Sequence, residues 1–369
     1  MHTTTFSGLP PEVQELIGAY FNQQDWSACV GVCREWRALF LTYLWRDIDI
    51  DCNRLKAWQD TFSKALETNH HLVRSLKLRS VDNCVDLGSF IECCPPTFPR
   101  LTSAEIESSR DLGLDSLTAA FIGLSSPGWK RLVFRKTPGS RFQGPFQFST
   151  ESFEALCKHT STLEVFRMEA KSYVLRGHID RLLCLAPLLK ELYFTTDQRD
   201  FYGGWIDADK IVDSDWVCNN LEVFACEIGH IRRLDITRDI NPNFSGDFIY
   251  RQGTHEESID LQRRIYSKLA KFTKLRVLKL GIMIDPAVQD YRPEDKEICR
   301  RYDSLAMTVE SGLDLLKGLK ELRVVDLSDL EVYVDGEPEQ SWFKEHWPLA
   351  TVITTSYLDD AADQGSLLG

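Results

Sequence analysis

The sequence predicts a mixed α/β chain: three short helices, then a curved parallel sheet lined on its outside by helices. Three observations point there. An apolar-x-x-apolar-x-apolar unit returns about eight times between residues 72 and 324. Helix-periodic stretches separate its copies, and the first 46 residues hold helical periodicity without the unit.

The unit appears as Leu72…Leu76-Lys77-Leu78, Trp129-x-x-Leu132-Val133-Phe134, Leu163-x-x-Phe166-Arg167-Met168 and Leu189-x-x-Leu192-Tyr193-Phe194. It returns as Leu221-x-x-Phe224-Ala225-Cys226, Leu275-x-x-Leu278-Lys279-Leu280 and Leu319-x-x-Leu322-Arg323-Val324, with a weaker copy at 101–106. The alternation inside each copy is the period of a strand with one buried face. Helical stretches at 153–159, 179–185, 259–272 and 305–316 lie between copies. Strand plus helix, repeated, is the pattern of a leucine-rich-repeat solenoid, whose units bury their leucines only by stacking. The alternative is a doubly wound α/β domain, which would show longer apolar strands and usually a glycine-rich turn. Two longer steps hold inserts rich in glycine, proline and charge, at 241–257 and 285–303.

Composition narrows the function. The chain has 369 residues and a formal charge of −12, which argues against a nucleic-acid binder needing a basic surface. Residues 1–8 lack the basic start and apolar run of a secretory signal. No apolar stretch is long enough for a membrane helix. Eleven scattered cysteines then read as reduced thiols of a cytosolic or nuclear protein.

Residues 9–46 read as three helices. Leu9-Pro10-Pro11-Glu12 opens the first, since proline suits a first turn and Glu12 its positive dipole end. Val13, Leu16, Ile17, Tyr20 and Phe21 follow at helical spacing. Asp25 is the expected N-cap of a second helix with Trp26, Cys29 and Val30. A third carries Trp36, Leu39, Phe40 and Leu44. So small a bundle cannot hide so many apolar side chains, so either the following domain or another protein covers the surplus.

The order Leu9-Pro10-x-Glu12, Leu16-Ile17, Tyr20-Phe21, Asp25-Trp26, Val32-Cys33, Trp36, Leu39 and Leu44-Trp45-Arg46 resembles the F-box pattern along its length. Trp26 and Phe21 stand where that family favours leucine, and both stay apolar. The resemblance implies docking on a Skp-type adaptor, held in turn by a cullin scaffold. By matched position it assigns contacts to Leu9, Pro10, Val13, Leu16, Ile17, Phe21, Trp26, Val32, Cys33 and Trp36. Trp36 reads either as an anchor or as the module's own core, with core favoured. The stretch from Thr308 to Leu349 resembles the C-terminal repeats of fungal F-box proteins with divergent leucine-rich repeats, and its apolar content suits a terminal cap.

No phosphate loop, nucleophile elbow or zinc-protease helix is present. Cys84, Cys93 and Cys94 beside His70-His71 fit no zinc spacing. Asp207, Asp209, Asp213 and Asp215 lack the glycine turn of a calcium loop and read as a solvated loop. No cofactor, metal or enzymatic activity is expected. The residues flanking the inward leucines select a substrate surface: Lys77, Arg79, Arg131, Val133, Arg135, Arg167, Glu169, Tyr193, Glu227, Lys279 and Arg323. Its early strands are locally basic, so an acidic or phosphorylated segment could pair there, against the plainer reading of ordinary mixed surface charge.

The expected organisation is therefore a flexible 1–8, an F-box at 9–50, a helical linker at 51–71, repeats at 72–358 and a disordered acidic tail at 359–369. The expected function is a substrate-recruiting subunit of a cullin-based ubiquitin ligase with an unidentified protein substrate. The alternative is an interaction scaffold whose F-box joins no active ligase.

Overall fold

The computed structural model describes residues 6–18, 20–55, 57–81, 84–108, 115–137, 146–169, 172–174, 177–194, 206–229, 231, 254–280, 305–327 and 337–353. The expectations for 241–253, 285–303 and 359–369 lie outside these residues.

Three helices open the chain: α1 (Pro11–Gly18), α2 (Gln23–Val32) and α3 (Arg34–Arg46). Pro11 starts α1, where a missing N–H goes unused. Asn22, not Asp25, caps α2. Its Oδ1 accepts from the backbone N–H of Gln24 (2.8 Å) and Asp25 (3.1 Å), and the Asp25 carboxylate accepts from Asn22 N–H at 2.9 Å. This is a capping box, and Asp25 is its third helical residue. Phe6–Gly8, expected to be flexible, forms a 3-10 turn whose Phe6 ring lies 4.9 Å from Phe40.

α3 passes directly into β1 (Asp47–Asp51), and β1 pairs in parallel with β2 (Ser75–Val81) over five residues. The sheet thus begins inside the expected F-box, and no linker separates the two parts. Asp47-Ile48-Asp49-Ile50-Asp51 alternates like any half-buried strand, with Ile48 and Ile50 turned inward. The expected helical stretch at 51–71 holds α4 (Cys52–Leu55) and α5 (Gln59–Asn69), whose Leu55, Phe62 and Leu66 join the core beneath the sheet.

The chain continues through α6 (Cys84–Cys93), β3 (Ser103–Ser108), α7 (Asp115–Ile122), β4 (Arg131–Lys136), β5 (Phe146–Phe148) and α8 (Thr150–Cys157). Then follow β6 (Val165–Met168), β7 (Ser172–Val174), α9 (His178–Leu185), β8 (Glu191–Phe194), β9 (Ile206–Asp207), α10 (Ala208–Asp213), β10 (Val223–Ala225) and β11 (Ile228–Gly229). Last come α11 (His255–Leu269), β12 (Val277–Lys279), a 3-10 helix at Leu313–Gly318, β13 (Val324–Asp326), α12 (Glu337–His346) and β14 (Thr351–Ile353).

Ten strands form one sheet in the order β1-β2-β3-β4-β6-β8-β10-β12-β13-β14, every pair parallel. The order follows the chain without reversal, whereas a doubly wound sheet reverses at a switch point. The apolar frame recurs in register. Val73, Leu101, Trp129, Leu163, Leu189, Leu221, Leu275 and Leu322 are buried, each three residues before an inward strand residue. The inward row and the helices share one continuous core.

The last described copies depart from expectation. Leu278 pairs with Val325, so the frame there is Leu322-x-x-Val325-Asp326-Leu327, three residues later than the expected Leu319-x-x-Leu322. Both frames are apolar, and strand pairing selects the second. The expected helix at 305–316 is a turn followed by the 3-10 helix. Gly312 there has a φ of 120°, and a Cβ on it would meet the Tyr266 ring at 2.8 Å. The Tyr266 hydroxyl donates to Ala306 C=O at 2.8 Å, tying this turn to α11. The expected insert at 241–257 ends at Thr254, which caps α11 with Glu257 in a second capping box. Asp207, expected in a solvated loop, is buried and caps α10 through Asp209 N–H. Trp342, Phe343 and Trp347 of the closing stretch are buried over the preceding unit, and Trp347 Nε1 donates to Leu316 C=O at 3.3 Å.

Candidate functional site

Two surfaces stand out. The first is the helical module, whose own core is aromatic: Trp26 and Phe40 are buried, with Trp26 stacked on Tyr43 (4.9 Å) and tilted against Phe21 (4.8 Å). Gly18 lies flat on the Trp26 ring, where an added Cβ would come within 2.9 Å. Trp26, expected among the docking contacts, is therefore structural, because the bundle has little else with which to fill its centre.

The outward side chains are also apolar. Val13 (39% exposed), Leu16 (63%), Tyr20 (84%), Val32 (62%) and Trp36 (37%) are five of the thirteen exposed large hydrophobics among the described residues. All five lie on the helical module, within residues 13–36, so exposed apolar surface is concentrated there. Pro10 and Cys33 are exposed beside them, while Leu9, Ile17 and Phe21 are partly buried. Cys33 also caps α3, its sulfur accepting from Trp36 N–H at 3.5 Å. Trp36, favoured as core, packs against Phe40 edge to face (5.3 Å) and keeps about a third of its surface exposed, so it serves the module's packing and its outer surface together. Tyr20 was not among the expected contacts, although its place in the helical spacing after Leu16 and Ile17 was the available signal.

The second surface is the outer face of the sheet. Pairing places Asp49, Lys77, Glu105, Val133, Arg167, Tyr193, Ala225, Lys279, Asp326 and Ile353 side by side on successive strands. On the early strands acids and bases alternate. Arg79 meets Asp49 at 2.6 Å, and Lys77 meets Glu105 at 3.1 Å and Glu107 at 2.7 Å. Glu105 also receives Arg131 and Arg135 at 3.5 Å each. Arg135 reaches Glu169 at 3.2 Å, and Arg167 bridges Glu169 (3.2 Å) and Glu191 (2.6 Å). Burial opposes the charge on Glu105, but the Lys77 ammonium and the Arg135 and Arg131 guanidinium groups outweigh it, holding its carboxyl below the usual range.

The expected basic patch is therefore a neutralised ladder. Apart from the expected Glu169, its acids are Asp49, Glu105, Glu107 and Glu191, none of which was among the expected surface residues. Val133, expected on the exposed face, is fully buried among these long side chains. Tyr193 lies between Arg167 (5.9 Å) and Lys279 (5.6 Å), each cation over its ring. Beyond it the face changes character: Val223, Val277 and Val324 adjoin one another, partly exposed. Lys279 pairs with Asp326 at 3.5 Å. Glu227 follows β10, its C=O accepting from Ile206 N–H at 2.9 Å. Arg323, expected beside Lys279, sits one residue before β13, at the rim where its strand begins. The frame shift in the last units moved it there.

Among the described residues no cluster of three or more His, Cys, Asp or Glu can hold a metal ion, and no helix is long and apolar enough to cross a membrane. Burial pushes the Cys93 and Cys94 thiols upward, which keeps them protonated. No curated protein matches the chain. Residues 6–51 match the F-box-like family, and the match ends on the last residue of β1. The chain carries an F-box-like domain whose last strand is the first strand of the ten-stranded sheet.

Proposed function

We propose that the chain is the substrate-recruiting subunit of a cullin-based ubiquitin ligase, acting in the cytosol or nucleus without chemistry of its own. The F-box-like helices dock on a Skp-type adaptor, and through it on a cullin. The sheet with its helices is a leucine-rich-repeat solenoid of the divergent fungal type, and its outer face recruits a protein substrate. The observation that carries this reading is the exposed apolar surface on helices that already have a closed aromatic centre. Val13, Leu16, Tyr20 and Val32 are not needed to fill the module, so a partner surface accounts for their exposure. The direct passage of α3 into β1 supports it as well, since a bridging subunit must hold its two ends in a fixed relation.

Co-purification with a Skp-type adaptor tests the docking end. Leu16→Glu with Val32→Glu places two charges on that surface and is expected to abolish binding, because fully burying each parent side chain contributes roughly 1.5–3 kcal/mol. Neither residue belongs to the buried centre, so the unfolding midpoint should hold. Unchanged binding refutes the docking surface. Recovery of a cullin in the same complex separates a ligase subunit from a scaffold that holds the adaptor alone.

A further inference from the structure

The geometry points to the late part of the outer face, across β10, β12 and β13, as the place where an extended, carboxylate-bearing peptide segment with apolar side chains is captured. This rests on the reading of the outer face as the recruiting surface, and it names the class of segment recruited.

Two features combine there. Val223, Val277 and Val324 are register neighbours on adjacent strands and form a partly exposed apolar stripe. It spans two strand spacings, about 10 Å, while same-side residues of an extended chain lie about 7 Å apart. Two apolar side chains at i and i+2 therefore fit along it. One residue upstream on the two later strands stand Arg276 and Arg323, both at the rim and both exposed. The Arg276 side chain is 61% exposed and reaches its nearest acids, Glu222 and Glu321, only at 3.7 and 4.0 Å. Arg323 makes no ion pair among the described residues, and its guanidinium rests on Leu322 C=O at 3.3 Å.

The early strands differ on the same count. A carboxylate arriving at Arg79, Arg131, Arg135 or Arg167 must displace an acid already in contact. At Arg276 and Arg323 it need displace little, and the planar guanidinium fork suits a carboxylate. A long polyanion is disfavoured, since two rim arginines cannot offset the repulsion from a chain of charge −12. A short acidic segment with apolar residues matches both features.

Selection from a displayed library of random twelve-residue peptides, with the full chain in complex with the Skp-type adaptor as target, tests this. Enriched peptides are expected to combine acidic with apolar residues. Arg276→Glu with Arg323→Glu should weaken them by about tenfold or more, and Val277→Thr by several-fold. Arg79→Glu should leave them unchanged. The same variants must still co-purify with the adaptor, so a failure of capture is distinguishable from a failure of docking. No enrichment, enrichment without acidic bias, or indifference to the rim reversal overturns the proposal. So does a dimer of the complex that dissociates on that reversal, which would hand the surface to a second copy. Peptides that bind only when Asp359, Asp360 and Asp363 are changed to Asn overturn it too, by assigning the surface to the chain's own C-terminal residues.

Discussion

The early and late strands of the sheet share one pairing pattern and one buried row, yet present opposite outer faces. From β1 to β6 most outward residues are charged and paired with one another, Val133 and Val165 being apolar exceptions. From β10 to β13 they are mostly short, and the unspent charge lies at the rim. A strand's inward residues are dictated by the common core. Its outward residues carry no such duty, so they differ where function or neutralisation differs. The early half has closed its own surface with ion pairs, and the late half leaves apolar area and exposed cations for something else.

The largest electrostatic effect is expected from removing the centre of the early ladder. Glu105 touches Lys77, Arg131 and Arg135, and its side chain is only 17% exposed. Glu105→Gln keeps the shape but takes one acid from three cations. Lys77 and Arg135 retain Glu107 and Glu169, while Arg131 is left without an acid in contact among the described residues. A loss of roughly 1–2 kcal/mol is therefore expected, between the figures for exposed and buried pairs. Its folded pKa lies below the usual carboxylate value. The stabilisation it supplies is therefore complete above about pH 4.5 and fades as pH falls through the folded value. Urea unfolding of parent and variant should thus differ at neutral pH and converge in acid. A constant difference down to pH 3 would show that the ladder is not ionic in origin.

A pair of valines sharpens the contrast through packing. Val133 and Val277 both point from the outer face, but Val133 is fully buried while Val277 is partly exposed. Val133→Ala removes two buried carbons and leaves a gap beneath the arginine stems, at about 2 kcal/mol. Val277→Ala is expected to cost about 1 kcal/mol or less. Equal losses in denaturant unfolding would mean that the late stripe is as covered as the early one.

Much of this architecture was legible before any coordinates. The frames at Trp129, Leu163, Leu189, Leu221 and Leu275 lie on the strands they announced, because a strand buried on one face repeats its leucines. β1 was hidden although Asp47 to Asp51 alternates, because it begins inside 9–50, whose apolar residues read as part of the helical module. The last frame was ambiguous because Leu319, Leu322 and Val325 are all apolar and only pairing chooses among them. The ion pairs were beyond reach. Lys77 and Glu105 are 28 residues apart, Arg79 and Asp49 30, and only strand register makes them neighbours. In the helices the surplus of apolar residues was plain, but its direction was not. Trp26 is buried while Trp36 keeps about a third of its surface exposed because packing around Phe40 and Tyr43 sets the rotation of each helix, and helical spacing alone leaves that rotation open.

The smallest effect belongs to a short ladder contact at the outer edge. Arg79 and Asp49 meet at 2.6 Å, closer than any cation approaches Glu105, yet their side chains are 48% and 42% exposed. Water already solvates both groups, and salt screens the remainder, so distance is the wrong guide to strength here. Asp49→Asn is expected to change stability by about 0.5 kcal/mol or less, and that difference should vanish in 1 M salt. Parallel unfolding of Glu105→Gln and Asp49→Asn at low and high salt would settle whether burial or proximity ranks the ladder. If Asp49→Asn proves the costlier of the two, the early face is held together from its edge, and its neutralised centre is not what closes it to partners.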